Sequence, residues 1–130
     1  REHEKYLCEV LLENVPVFVV RWPKAMKPFY MKTASDGQTV ENLDLLLPNV
    51  GELVGGSVRE ERLDVLEANM KAKGMNRNAE LDWYLELRRF GTVPHGGFGL
   101  GFERFVQFLT GMKNIKDTIL VPRATGSCKF

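Results

Sequence analysis

The chain has 130 residues, 44% hydrophobic and 27% charged, which is enough to bury one core and too mixed for a fibrous or disordered segment. Its 18 basic and 17 acidic side chains leave a net charge of +1 and are spread along the whole length, so no charge run marks a nucleic-acid or membrane surface. No apolar stretch reaches the roughly 20 residues needed to span a bilayer and no signal-peptide pattern opens the chain, so a soluble intracellular protein is expected.

From Glu2 to Leu12, Tyr6, Leu7, Val10 and Leu11 recur at helical spacing, which predicts an amphipathic helix ending near Asn14 and packing on a sheet. The chain starts at Arg1 inside this run and without a methionine, so upstream sequence is expected. Val15 to Trp22 carries Val17, Phe18, Val19 and Val20 without interruption, which reads as a strand buried on both faces and ended by Pro23. Lys27 to Met31 reads as a second short strand, and Ala34-Ser35-Asp36-Gly37 as a turn. Thr39 to Leu46 and Val50 to Val58 flank Pro48-Asn49 and read as a hairpin. Glu60 to Lys73, with Leu63, Leu66 and Met70 on one face, the pair Glu67/Lys71 and Gly74 as its C-terminal cap, is a helix. Ala79 to Arg89 is another, Gly91 to Gly101 is a glycine-rich connection, and Phe102 to Thr110 is a last helix closed by Gly111. Irregular alternation with a hairpin favours an α+β domain on an antiparallel sheet over a doubly wound parallel one. Cys8 and Cys128 have no partner at metal-ligand spacing and read as free thiols.

Glycines at 97, 99 and 101 strip every Cβ from one side of a strand or loop, so a flat ligand or a phosphate can approach the backbone. On the helix that follows, Phe102, Phe105, Val106 and Leu109 form a stripe expected to be buried. Arg104 is left facing the glycines, where its planar fork suits a phosphate. The plainer alternative is close packing of helix on strand, with Arg104 a solvated charge. Pairing centred on Pro48 brings Asp44 and Glu52 opposite each other, as a cation site or as two solvent-facing carboxylates. Strand alternation turns Arg59 to the face opposite Glu52. A bulge at Gly55-Gly56 would bring it to the same side, and without one Arg59 would pair with Glu60 or Glu61. His95, after Pro94, would contact a nucleotide or serve as a structural loop histidine.

Three segments, Lys27-Pro28-Phe29-Tyr30, the run from Val50 to Arg62, and Pro94 to Arg104, together resemble asparaginyl-tRNA synthetases, of the aspartyl/asparaginyl/lysyl subgroup of class II. The resemblance runs nearly the whole length and includes Trp83 to Arg89, Asn114 to Asp117 and Pro122-Arg123. It implies that residues 1–130 are the C-terminal part of the catalytic domain, an antiparallel sheet flanked by helices, with the third class motif at about 97–111. By that motif Arg104 would hold the terminal phosphate of ATP, and Gly99, Gly101, Phe102 and Glu103 would complete the nucleotide-binding stretch. Glu52 matches a carboxylate that binds Mg²⁺ with the ATP phosphates, and Asp44 is similar to a second acidic position near the metal. Arg59 matches the arginine that reads the amino acid, and Lys27 and Tyr30 lie where the family lines the amino-acid pocket.

The form Gly55-Gly56-Ser57-Val58-Arg59-Glu60-Glu61-Arg62 is similar to the asparaginyl branch, whereas one group of aspartyl enzymes shows Ser-Thr-Gly-Gly-x-Arg there. The resemblance thus implies activation of asparagine with ATP and transfer to tRNA(Asn), in the cytoplasm or mitochondrial matrix. The full-length enzyme would be a homodimer without a membrane segment. The first and second class motifs and the anticodon-binding barrel are not in this chain, so amino-acid activation by it alone is not expected. The alternatives are a paralogue that charges aspartate or makes asparagine, and a non-catalytic nucleotide-binding or interaction module.

Overall fold

The computed structural model describes residues 2–75 and 79–127. Among them, four strands, β1 (Val17–Val20), β2 (Asn42–Leu47), β3 (Gly51–Val58) and β4 (Gly96–Leu100), form an antiparallel sheet in the order β1-β2-β3-β4. The helices are α1 (Glu2–Lys5), which continues as a π-helical stretch over Tyr6–Leu11, then α2 (Leu63–Ala72), α3 (Ala79–Arg89) and α4 (Phe102–Thr110). The α+β class expected from the sequence is the one observed. No helix among the described residues is long and apolar enough to cross a membrane.

The chain divides into two compact units. Unit 1 comprises residues 1–18, 44–55 and 99–130, and unit 2 comprises residues 19–43 and 56–98. In unit 1 the buried apolar groups include Cys8, Leu46, Leu47 and Leu53. The Cys8 thiol donates to the Val15 carbonyl at 3.1 Å, and burial, aided by the charge of Glu9, pushes its pKa up. Unit 2 is built on Leu66, Met70 and Leu85, against which Phe29, Tyr30, Leu63 and Tyr84 pack. Leu66 and Met70 stand one turn apart on α2, and each such side chain withdrawn from water contributes about 1.5–3 kcal/mol. Phe29 meets Tyr84 edge to face at 6.2 Å.

Several elements differ from the sequence expectation. The N-terminal helix widens to π-helix, with Leu12 N–H reaching back to the Leu7 carbonyl, and ends where Glu13 and Asn14 turn left-handed (φ 53° and 62°). Its buried residue is Cys8, while Tyr6, Val10 and Leu11 are exposed. β1 is an edge strand of alternating half-buried and exposed residues, with Phe18 and Val20 exposed. An uninterrupted apolar run does not distinguish an edge strand from a central one. Lys27 to Met31 is not a strand: a 3₁₀ turn at Lys24–Met26 precedes it, and its pairing is reduced to the single bridge of Met31 with Arg59. The turn at Ala34 to Gly37 is present, with the Asp36 carboxylate accepting from the N–H groups of Gln38 and Thr39 and from the Thr39 hydroxyl. Those bonds, the hydroxyl's foremost, hold the Asp36 carboxyl below its ordinary pKa. Cys128 lies outside the described residues, whereas Cys8 is a free thiol.

Candidate functional site

Each unit carries part of the predicted site. In unit 1 the chain reverses after β2 through Pro48, Asn49 and Val50, with Asn49 and Gly51 left-handed (φ 63° and 85°). The reversal turns Asp44 and Glu52 toward the same small space above Gly55. A Cβ at position 55 would lie 2.6 Å from Glu52 Oε1 and 3.6 Å from Asp44 Oδ1. A glycine there keeps room for both carboxylates. Asp44 is buried and Glu52 half-buried, so neither is the solvent-facing carboxylate of the plainer reading.

Gly101 begins α4. Its N–H donates to the Leu53 carbonyl at 3.0 Å, and its own carbonyl accepts from Phe105 N–H at 2.9 Å. Three residues on, the Arg104 stem folds back over Gly101, with its Cβ, Cγ and Cδ 3.4–3.6 Å from where a Cβ at 101 would be. One guanidinium N–H of Arg104 donates to the main-chain carbonyl of Glu52, which joins the arginine to the acidic strand. Gly99 has open space on the side where a side chain would stand. Glu52 and Arg104 both line a cavity of about 690 Å³ whose wall also carries Lys5, Gln107, Lys113 and Asn114. Its lining holds three cations, three carboxylates (Glu4, Glu9 and Glu52) and three amides, a polar wall of balanced charge that suits a polar ligand better than an apolar one.

Phe102 and Glu103 complete the predicted nucleotide-binding stretch. Phe102 is exposed, and Glu103 is held through its carbonyl by the Thr118 hydroxyl at 3.2 Å. The expected burial of the α4 stripe is not observed: Phe102 and Leu109 are 66% and 65% exposed, and Phe105 and Phe108 are also exposed. Periodicity reports that a helix is amphipathic, not what covers its apolar face.

In unit 2, Arg59 follows β3 directly. Its guanidinium donates to Ser57 Oγ at 2.9 Å and to the Gly97 carbonyl at 3.5 Å, and lies 4.8 Å from the centre of the Tyr30 ring. A Cβ at Gly97 would stand 3.4 Å from Nη2, in ordinary contact with the guanidinium. Ser57 and Gly97 also line a cavity of about 530 Å³. The alternative, pairing of Arg59 with Glu60 or Glu61, is not among the described contacts. Glu60, fully buried, takes a two-pronged contact from Arg62 at 2.8 and 3.0 Å, and Glu61 takes Lys32 at 2.8 Å. Among its described contacts Arg59 has no carboxylate partner. Tyr30 is placed beside Arg59, whereas the Lys27 ammonium lies 4.6 Å over the Trp22 ring. The sequence alone assigns no task to Ser57 or to Arg88, whose guanidinium lies 4.0 Å from the Tyr84 ring: a serine two residues from an arginine is a common pattern, and an arginine at the end of a helix an ordinary one. The spacing of Tyr84 and Arg88, one helical turn apart, was the available signal.

The model of the family described as class II tRNA synthetases (D, K and N) matches residues 1–125. The chain belongs to this family. Among curated relatives it is 54% identical to the probable mitochondrial asparagine–tRNA ligase of Dictyostelium discoideum over all of its own length and 29% of that protein's. It is 55% identical to the asparagine–tRNA ligase of Microcystis aeruginosa over 99% of its own length and 28% of that protein's. Among solved structures, the Entamoeba histolytica asparaginyl-tRNA synthetase in complex with asparaginyl-adenylate superposes with a TM-score of 0.91 at 38% identity, over 98% of this chain and 29% of that one. The class II synthetase chain thus spans under a third of the length of these relatives.

Proposed function

We propose that this chain is the C-terminal part of the catalytic domain of an asparagine–tRNA ligase, which activates asparagine with ATP and transfers it to tRNA(Asn). The observation that carries the reading is identity of 54–55%, along essentially the whole chain, to proteins named for that activity. The superposition on an enzyme holding asparaginyl-adenylate supports it.

In this reading Arg104 holds the terminal phosphate of ATP, the open face at Gly99 receives the adenosine, and Gly101 lets the Arg104 stem lie close beside it. The hard oxygen donors of Glu52 and Asp44, converging over Gly55, fit Mg²⁺, which would share its coordination with phosphate oxygens and water. When bound, the ion neutralises charge on the phosphates. Arg59, lying on the ring of Tyr30 and free of carboxylate partners among its described contacts, holds the asparagine, and Lys27 is assigned to the amino-acid pocket by the family resemblance alone. The asparagine carboxylate attacks the α-phosphate in line and pyrophosphate leaves. The reaction asks the protein for positioning and charge complementarity rather than for an acid or base. The working enzyme is a homodimer acting in the cytoplasm or the mitochondrial matrix.

ATP–pyrophosphate exchange by the complete protein tests this. Exchange is expected with asparagine and not with aspartate; absence of asparagine-dependent exchange, or equal exchange with both, rejects the reading. Arg104→Ala is expected to raise the KM for ATP, and Arg59→Ala the KM for asparagine, each about tenfold or more, as loss of a charge-assisted contact worth ~1.5–3 kcal/mol requires.

A further inference from the structure

Arg88, in the last turn of α3, is charged yet only 7% exposed, and the proposed reaction gives it no task. Its guanidinium is used in every direction. Nε donates to the Glu60 carbonyl at 3.3 Å, Nη1 to the Tyr84 carbonyl at 3.1 Å and Nη2 to the Tyr84 hydroxyl at 2.9 Å. Its central carbon stands 4.0 Å from the centre of the Tyr84 ring. Nη2 also lies 3.5 Å from His95 Nε2. His95 Nδ1 is 2.8 Å from the Val93 carbonyl, which can only accept, so Nδ1 carries the proton and the Nε2 lone pair faces Arg88.

Glu60 and His95, the two residues held this way, border Arg59. Arg59 N–H donates to the His95 carbonyl at 2.9 Å, and Glu60 N–H donates to the carbonyl of Tyr30, whose ring carries the Arg59 guanidinium, at 2.9 Å. One side chain on α3 therefore grips the residue after Arg59 through its carbonyl, and through an imidazole the residue whose carbonyl receives the Arg59 amide. We propose that Arg88 is a positioning residue: it fixes the backbone on both sides of Arg59 and so aims the Arg59 guanidinium at the amino-acid substrate. This rests on the reading of Arg59 as the asparagine-holding group. Lysine cannot replace it, because an ammonium lacks the flat fork that meets two carbonyls, a hydroxyl and a ring at once.

The test is Arg88→Lys in the complete protein. Arg88→Met, which keeps the stem and drops the charge, serves if a buried ammonium unfolds it. The KM for asparagine is expected to rise about tenfold, the factor that 1.4 kcal/mol of lost alignment gives, while the KM for ATP stays within about twofold. A purely structural role would raise both together. A crystal structure of the variant should show the Arg59 guanidinium withdrawn from the Gly97 carbonyl and the Tyr30 ring. An unchanged asparagine KM, a parallel rise in both constants, or an Arg59 that stays in place overturns the proposal. If the unaltered protein shows no asparagine-dependent exchange, the reading of the substrate fails and the crystal structure alone decides whether Arg88 sets Arg59.

Discussion

In unit 1 the Arg104 guanidinium meets a main-chain carbonyl and its stem lies on a bare glycine, at the start of a helix whose phenylalanines are exposed. In unit 2 Arg59 is held by a hydroxyl, a carbonyl and an aromatic ring, and the segment behind it is tied down by buried ionic groups over a closed apolar core. The difference matches the two tasks proposed for them. A phosphate is a large, mobile anion, and an arginine held by a main-chain carbonyl alone among its described contacts can follow it. A small amino acid must be distinguished by fixed distances, so the arginine that reads it is set in place before the ligand arrives. Unit 2 should therefore transmit damage to its core into substrate recognition more directly than unit 1 does.

The largest effect is expected from Leu85→Ala. Leu85 is fully buried between α2 and α3, and its removal should lower the unfolding free energy by about 2–5 kcal/mol, read from urea or thermal unfolding. The asparagine KM should rise in the surviving folded protein, because α3 carries both Leu85 and Arg88. A variant that loses stability without any change in asparagine KM would break the link between core and site.

Two adjacent glycines separate the regions more finely. A Cβ at Gly56 would fall 2.9 Å from the Phe98 Cβ and 3.1 Å from the Gly97 carbonyl, atoms that cannot move alone, so Gly56→Ala should cost about 1–3 kcal/mol in stability. A Cβ at Gly55 would fall 2.6 Å from the far end of the Glu52 side chain, which can swing away. Gly55→Ala should leave stability within about 1 kcal/mol and instead raise the Mg²⁺ concentration needed for exchange. Equal stability losses at 55 and 56, with no change in the metal requirement, would show that the Glu52 carboxylate has no function over Gly55.

Much of this was legible from local chemistry. The bounds of α3 and α4, the hairpin and the left-handed glycines at 74 and 111 follow from periodicity and turn residues, signals that act within a few positions. The juxtaposition of Asp44 and Glu52 followed from counting outward from Pro48. Illegible were features decided by distant partners. The π-helical stretch at Tyr6–Leu11 has no signature in the periodicity of the run, and Lys27 to Met31 is not a strand because Phe29 and Tyr30 turn, with Met31 N–H reaching back to the Pro28 carbonyl, before the single bridge of Met31 with Arg59. The partners of Arg59 are Ser57, two residues back, and Gly97, 38 residues on, while the two nearby glutamates are taken by Arg62 and Lys32. Sequence spacing shows which charges are near; competition among all the cations decides which pair.

The smallest effect concerns one of those competitors. Lys32 donates to Glu61 at 2.8 Å, with both side chains mostly covered. The hydrogen bond holds the Glu61 carboxyl below its ordinary value near 4.5 and lifts the Lys32 ammonium above its ordinary value near 10.5. A lowered acid stabilises the fold above its unfolded pKa and loses that contribution as pH falls through the folded one. A raised base stabilises below its unfolded pKa and loses the contribution as pH climbs through the folded one. The pair should therefore stabilise across the window from about 4.5 to about 10.5 and fade on both sides. Thermal melts of the parent protein and Glu61→Gln across this range should show a Tm difference that is widest in the middle and closes toward both ends. Asp36 also titrates in acid, but it is present in both proteins and cancels from the difference. The asparagine KM should stay unchanged, since Glu61 does not touch Arg59 in the contacts described. A rise in that KM would show that the Lys32–Glu61 pair helps to hold the segment that follows Arg59.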